Sequence, residues 1–164
     1  MKANKILIGI VAAVLVLIVV RVVLSRSGGT SDQLLIEQAL QESIQASKEG
    51  RPGGVMDKLS SRLQVNDMDT SGNRSQIARY IKDNKPDVMV LNKKAVVTGD
   101  EARIVSPVDI EVNLLGQKLS RQLKEVTLVF RKEDDREYLV FPTKKWKLAE
   151  VQVPDEAIYD FLQG

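Results

Sequence analysis

The longest uninterrupted run of apolar positions lies near the N-terminus. Residues 6–20 carry no polar side chain, and three more apolar residues follow Arg21. A helix needs about 20 apolar residues to cross a hydrocarbon core about 30 Å thick. Arg21 falls near the end of the run, where its stem can lie in hydrocarbon while its guanidinium reaches the headgroups. The pattern predicts a transmembrane helix over residues 6–24.

The residues around this run decide between an anchor and a cleaved secretory signal. Lys2 and Lys5 before an apolar run would also suit a signal peptide. Residues 22–27, however, read Val-Val-Leu-Ser-Arg-Ser and lack the small-x-small cleavage pattern. We therefore expect a signal anchor with a short tail (residues 1–5) inside, a flexible linker (residues 25–31) and an extracytoplasmic domain, N-in and C-out. A cleaved, secreted domain is the alternative.

Apolar residues then recur at three- and four-residue steps, which predicts three helices. These cover about residues 32–49, a shorter piece around residues 55–63, and about residues 73–83. Their inward positions are Leu35, Ile36, Ala39, Leu40, Ser43, Ile44 and Ser47, then Val55, Met56, Leu59 and Leu63, then Ile77, Tyr80 and Ile81. Gln76 is placed to complete a capping box in the third helix, and Lys85-Pro86 to end it.

From residue 87 onward the apolar period changes from helical to two. We predict one strand over residues 87–98 and another from about residue 102, in which alternate positions face inward. Those positions are Ala102, Ile104, Ser106, Val108, Ile110, Val112 and Leu114. This alternation is typical of a long strand with one buried face.

The next strand changes the parity of its apolar positions. Leu119 and Leu123 share one parity, whereas Val126, Leu128 and Phe130 share the other. Such a slip predicts a bulge that bends the strand and curls the sheet. After a charged turn, residues 138–141 are apolar again, residues 146–153 form the last strand, and Pro154 opens a short terminal helix. The domain would thus cover residues 32–164.

Charge and composition narrow the range of functions. Lys2, Lys5, Arg21 and Arg26 flank the apolar run, and removing these four from 24 basic residues leaves 20 against 22 acidic ones. A nearly neutral domain has no strong field for a phosphate backbone, so we expect no nucleic-acid partner. The chain has neither Cys nor His, which removes thiolate and imidazole ligands for zinc and every Ser-His or Cys-His catalytic pair.

Helices followed by a strongly bent sheet of long antiparallel strands form a recognisable order. Residues 99–105, 126–132 and 146–148 carry its turn and strand pattern. With them the chain resembles the nuclear transport factor 2-like superfamily, which implies an α+β cone of three helices on a strongly bent antiparallel sheet. The arrangement of a short tail, one span and a cone domain is also similar to the periplasmic assembly subunits of type IV secretion systems, whose domains bind other proteins.

Cone-fold enzymes set an acid, a base or a His-Asp pair inside the cone. The predicted inward face of the second long strand has no titratable side chain, while Asp109 and Glu111 should point outward to solvent. Tyr80 and Trp146 are the candidates for cavity or rim residues, although each is also a normal packing residue. Residues 66–72 have a calcium-loop-like composition, but the glycine is displaced and the final Glu ligand is missing. We expect no catalytic, cofactor or metal site and no cofactor.

These observations favour one function and leave one open. The favoured role is a single-pass, membrane-anchored, non-enzymatic binding or assembly module of the cell envelope, with a protein partner or a second copy of the chain. The alternative is a carrier or enzyme that uses the cone for a small apolar, lipid-like ligand.

Overall fold

The computed structural model describes residues 28–114, 117–135 and 143–154. The predicted tail, transmembrane helix and terminal helix lie outside these residues, as do residues 138–141. Among the helices that are described, none combines the length and the apolar character needed to cross a membrane. The chain divides into two compact units, Met1–Asp32 and Gln33–Gly164, and the second contains every described strand.

The described residues form three α-helices and one short 3₁₀ helix. Helix α1 covers Gly28–Lys48, α2 covers Pro52–Met56 and α3 covers Arg74–Asn84, preceded by the 3₁₀ turn Ser71–Asn73. The predicted start of α1 near residue 32 is therefore four residues too late. An added Cβ at Gly54 would lie 2.8 Å from the Cβ of Ala46, so α2 can approach α1 closely only because Gly54 has no side chain.

The inward stripe of α1 is largely as expected, with two corrections. Ile36 and Leu40 are buried in the core. Leu35, however, is exposed, and Ala46, which the periodicity missed, is buried. The C-terminal turn of α1 is fixed to the sheet because Ser47 Oγ donates to the carbonyl oxygen of Pro86 at 2.8 Å.

Helix α3 ends where the sequence indicates but begins differently. Lys85 adopts a left-handed conformation (φ 45°) and its N–H donates to Ile81 O at 3.0 Å, which ends the helix before Pro86. Asn73, at the N-terminus, makes no side-chain capping hydrogen bond, so the predicted capping box with Gln76 is not formed.

The predicted helical piece around residues 55–63 is confirmed for Val55 and Met56, which belong to α2, and is wrong from Leu59 onward, because Leu59–Val65 is strand β1. The remaining strands are β2 Met68–Asp69, β3 Asp87–Val90, β4 Val96–Thr98, β5 Glu101–Leu114, β6 Gln117–Asp135 and β7 Thr143–Gln152. They form one sheet in the order β2-β1-β7-β6-β5-β3, with β4 also paired to β5.

This sheet is mixed rather than purely antiparallel, which corrects the fold-class prediction. Strand β1 runs parallel to β7, and the other pairs are antiparallel. The junction begins where Leu148 N–H donates to the carbonyl oxygen of Lys58 at 2.8 Å. The predicted strand over residues 87–98 is also divided, because residues 91–95 do not belong to a strand and Asn92 N–H donates to the side chain of Ser106 in β5, at 2.8 Å to Oγ.

The predicted bulge in the long strand β6 is confirmed. Ser106 pairs with Val126 and Val108 pairs with Leu123, so β6 has one residue more than β5 in this interval. The extra residue lets Leu123 and Val126 both face the core despite their different parities.

Two apolar clusters fill the core. The first lies between α1 and the sheet and contains Ile36, Leu40, Ile104, Phe130 and Trp146 among its buried residues. The second, around α2, β1 and α3, contains Ala46, Val55, Leu59, Leu63 and Ile81. The observed architecture is thus α+β, with helices on one face of a curved mixed sheet.

Candidate functional site

An apolar cavity of about 290 Å³ lies between the helices and the inner face of the sheet. Residues of α1, α2 and β1 line one side, and residues of β3, β5, β6 and β7, with Val153 just after β7, line the other. The lining residues are Leu40, Ser43, Ile44, Ser47, Val55, Leu59, Val88, Val90, Val108, Ile110, Leu123, Val126, Leu128, Leu148, Val151 and Val153.

The chemistry of this lining is uniform. Fourteen of its 16 side chains are Val, Leu or Ile, and the other two are serines on α1. The hydroxyl of Ser47 already donates to Pro86 O, which leaves Ser43 as the second polar side chain of the lining. No titratable or aromatic side chain lines the cavity in the described part of the chain. The site can therefore bind an apolar group, but no lining side chain among the described residues is a general base that could activate the hydroxyl of Ser43 or Ser47.

The inner face of β5 agrees with the expectation from alternation. Ala102, Ile104, Ser106 and Val108 are all buried, and Val108 lines the cavity. The hydroxyl of Ser106 is occupied, since it accepts from Asn92 N–H and donates to Pro107 O at 2.7 Å.

Asp109 and Glu111 of β5 lie on the outer face, as predicted. Asp109 accepts from Gln122 Nε2 at 2.8 Å, and Glu111 accepts from Lys118 Nζ at 2.8 Å. The hydrogen bond that Lys118 donates to Glu111 raises the pKa of Lys118 above its ordinary value. Both carboxylates thus pair across the β5–β6 ladder, away from the cavity. Within the described residues, no cluster of three or more His, Asp or Glu side chains could hold a metal ion.

Tyr80 and Trp146, the candidates for cavity or rim residues, lie at different places. Tyr80 is 42% exposed and lines a shallow surface depression with other α3 residues, so it does not point inward with Ile81. Trp146 is buried in the first cluster and also borders a groove beside Lys58. The Nζ of Lys132 lies 5.0 Å from the centre of its ring. Neither residue is in the lining of the apolar cavity.

A second feature, missed by the sequence analysis, is a row of exposed apolar side chains on the outer face of the sheet. This outer strip consists of Met89, Leu91, Val96 and Val105, whose exposed fractions are 59%, 51%, 69% and 49%. The sequence held a signal for it, because Met89 and Leu91 alternate with the half-buried Val88 and the buried Val90. Apolar residues on both parities of a strand indicate that its second face is not purely a solvent face.

A charged network borders the outer strip at one end. Glu101 accepts hydrogen bonds from Arg103 Nε at 3.0 Å and from Arg131 Nε at 3.2 Å. These bonds, with Arg103 making the larger contribution, hold the pKa of the Glu101 carboxyl below its ordinary value. Arg131 also lies 3.7 Å from Glu150, which is buried. The opposite end of the strip carries Asp109 beside Met89.

No protein-family model matches this sequence, and no curated protein matches it either. Solved structures do resemble it. A conserved protein from Planctomyces limnophilus has a TM-score of 0.58 at 12% identity, covering 76% of this chain and 95% of that chain. A nuclear transport factor 2-like superfamily protein from Salmonella enterica has a TM-score of 0.57 at 14% identity, covering 77% and 92%.

A ketosteroid isomerase-like protein from Erwinia carotovora atroseptica has a TM-score of 0.55 at 14% identity, covering 74% of this chain and 93% of that chain. At such identities the similarity concerns the fold alone. The domain therefore has the α+β cone fold of the nuclear transport factor 2-like superfamily, as the strand pattern indicated.

Proposed function

We propose that this protein is a non-enzymatic binding or assembly module of the cell envelope, anchored by one N-terminal span and acting through protein–protein contacts. The observation that carries the proposal is the outer strip of the sheet. Single exposed apolar residues are common on protein surfaces, but neighbouring ones with a charged border are typical of interaction sites.

The members of the outer strip are neighbours in the sheet. Met89 pairs with Asp109, and Leu91 N–H donates to Pro107 O at 3.2 Å. Val96 pairs with Arg103, two positions along β5 from Val105. Side chains at paired or diagonal positions of one sheet face lie within about 5–8 Å of each other. The four residues can therefore act as one apolar surface.

A second copy of this chain is the partner that the surface suits best. Asp109 lies beside the Met89 end of the outer strip, whereas Arg103 lies beside the Val96 end. In a twofold dimer the same patch faces itself in the opposite direction. Two strips stacked in this way would bring the carboxylate of one copy towards the guanidinium of the other, which favours this arrangement over a parallel one.

The absence of cysteine in the chain makes this proposal directly testable. Full-length Val105→Cys, reconstituted in nanodiscs large enough for two copies, should form a covalent dimer with a flexible bis-maleimide. Lys82→Cys, at an exposed position on α3, is the matched control and should not. Adding Leu91→Lys to Val105→Cys should reduce the dimer, because it places a charge in the apolar contact.

Two results would count against the proposal. One is equal crosslinking of the Val105→Cys and Lys82→Cys variants, and the other is a single mass of one chain per nanodisc by native mass spectrometry. The Lys82→Cys variant also tests the membrane arrangement. If the domain is extracytoplasmic, a membrane-impermeant maleimide should label Cys at this position in intact cells, and protection of the thiol would contradict the N-in, C-out arrangement.

The apolar cavity supports a second candidate function, the binding of a small apolar ligand. Its volume of about 290 Å³ lies near the lower end of the range of about 300–1,000 Å³ that is usual for ligand sites. Several lining residues, including Ile44, Ile110 and Leu123, remain half-buried rather than fully buried. Filling the cavity would remove this apolar surface from water.

A further inference from the structure

We infer that the cavity accepts an uncharged, unbranched aliphatic segment of roughly ten non-hydrogen atoms. This inference rests on the second candidate function, that the cavity binds an apolar ligand, and it specifies the chemical class. The size, the charge and the shape of the lining each contribute one part of the argument.

The size follows from the cavity volume. An engineered apolar cavity of about 150 Å³ holds one benzene molecule, whose six carbon atoms fill it. The present cavity, about 290 Å³, has roughly twice that volume. It therefore has room for a ligand segment of roughly ten non-hydrogen atoms, which is a medium-length alkyl chain rather than a whole membrane lipid.

The charge of the ligand follows from what the lining lacks. Among the described residues, no Lys, Arg, Asp or Glu lines the cavity. A carboxylate or ammonium group inside it would lose its hydration without gaining a counter-ion, which is strongly unfavourable. The buried part of the ligand must be neutral, and any charged headgroup must remain outside. Ser43 can offer one hydrogen bond to a hydroxyl or ester oxygen.

The shape of the ligand follows from the side chains of the walls. All the apolar lining residues are Val, Leu or Ile, while the buried aromatic residues Phe130 and Trp146 lie in the core outside the lining. Flat ring systems gain extra stabilisation from aromatic faces, which this cavity does not provide. Flexible aliphatic chains need only dispersion contacts with branched aliphatic walls. The lining thus favours an alkyl chain over a flat polycyclic ligand.

Octan-1-ol is a suitable probe, because it is neutral, unbranched and close to the expected size. Full-length protein in nanodiscs, labelled with ¹³C at Ile, Leu and Val methyl groups, is dialysed against defined free concentrations of the alcohol. We expect saturable shifts of the Ile110 and Leu123 methyl signals. Hexan-1-ol, shorter by two methylenes, should bind roughly 15-fold more weakly. Octanoate and 2-naphthol test the charge and the shape.

Two variants with the same added aromatic ring distinguish the cavity from the lipid and from the outer surface. Ile44→Phe fills the cavity from α1, whereas Val105→Phe adds the ring on the outer face. Octan-1-ol binding should be lost in Ile44→Phe and retained in Val105→Phe. Ser43→Leu is a second filling variant, should Ile44→Phe not fold. The Ile44→Phe and Val105→Phe proteins are reconstituted separately in nanodiscs of identical composition. Partitioning of octan-1-ol into lipid is therefore the same for the two variants and does not affect the comparison.

The outcomes separate this inference from the function on which it rests. Binding of 2-naphthol or octanoate as tightly as octan-1-ol overturns the chemical class but leaves apolar-ligand binding standing. Shifts that appear only after deletion of residues 155–164 would mean that the chain's own terminus occupies the cavity, which also overturns the inference. No shift with any probe, in the full chain or after the deletion, overturns both.

Discussion

Asn66 links the β1–β2 hairpin to the end of β7 and gives the sharpest test of how this fold is held together. Its backbone is left-handed (φ 46°), like that of its neighbour Asp67 (φ 65°). Asn66 Nδ2 donates to Val153 O at 2.8 Å, and Val153 N–H donates to Asn66 Oδ1 at 2.7 Å. Since Val153 lines the cavity, these two bonds also fix one end of the site.

The expected cost of changing Asn66 has two separable parts. Loss of two partly buried hydrogen bonds costs about 2 kcal/mol, at about 1 kcal/mol each. A non-glycine residue without a polar side chain costs about 1 kcal/mol more in the left-handed region. Asn66→Ala should therefore destabilise the domain by about 3 kcal/mol and Asn66→Gly by about 2 kcal/mol. Asp67→Ala, at the exposed neighbouring position, should cost only about 1 kcal/mol.

Urea titration of the full chain, followed by the fluorescence of its single tryptophan, measures these differences. With an m-value of about 2 kcal/mol per M, the midpoint should fall by about 1.5 M for Asn66→Ala and by about 1 M for Asn66→Gly. An unchanged midpoint for Asn66→Gly would refute the role of the two hydrogen bonds. Equal midpoints for the Ala and Gly variants would refute the backbone contribution.

Three further predictions concern the core, the charged network and a turn. Phe130→Ala should lower the free energy of unfolding by about 3–5 kcal/mol in the same titration, because removing this fully buried ring leaves a cavity in the core. Hydrogen bonds from Arg103, and to a smaller extent from Arg131, lower the pKa of the Glu101 carboxyl in the folded state. The ionised carboxylate therefore stabilises the fold at pH values above its unfolded pKa. This stabilisation is lost as the pH falls through the lower pKa of the folded state. Glu101→Gln should therefore show a smaller fall in Tm between about pH 5 and pH 3, and an unchanged acid slope would contradict this. Gly99→Ala should destabilise by about 1 kcal/mol at φ 63°, whereas Gly53→Ala, in a helix with equally open surroundings, should be neutral or slightly stabilising by urea titration.

Strict alternation and changes in parity made β5 and the β6 bulge predictable. Ile104 and Val108 lie on the same face of β5, so only one of the two possible registers of β5 buries both. The sequence therefore predicts which face of β5 is the inner one. Leu123 and Val126 could both reach the core only if the strand contained an extra residue. The inner face of β5 and the bulge of β6 depend only on the spacing of nearby apolar residues, which can be read from the sequence.

Strand β1 was assigned incorrectly because its local pattern fits two structures. Leu59 and Leu63 are four residues apart, which places them on one face of a helix or on one face of a strand. Pairing with β7 decides between them, and β7 lies near the far end of the domain in sequence. The break between β3 and β4 likewise depends on a contact between Asn92 and Ser106 that no local rule indicates.

The chemistry of the candidate cavity could be predicted more fully than its size. Alternation in β5 showed that the inner face has no titratable group, and the structure agrees over the described residues. The volume depends on the distance between α1 and the sheet, which depends on close contacts such as that of Gly54 with Ala46. The outer strip has a sequence signal too, because Met89 and Leu91 place apolar side chains on the parity opposite to Val88 and Val90.

The position of β7 has a consequence for the order in which the sheet can form during synthesis. Strand β7 is the last of the described strands in sequence, yet it lies between β1 and β6 in the sheet. During synthesis, β1 leaves the ribosome early and has no neighbour on that side until β7 follows. Leu59 and Leu63 can already pack with Val55 and Ile81, but the backbone edge of β1 stays unpaired until β7 is made. Non-local pairing of this kind slows folding and leaves an open strand edge on the nascent chain.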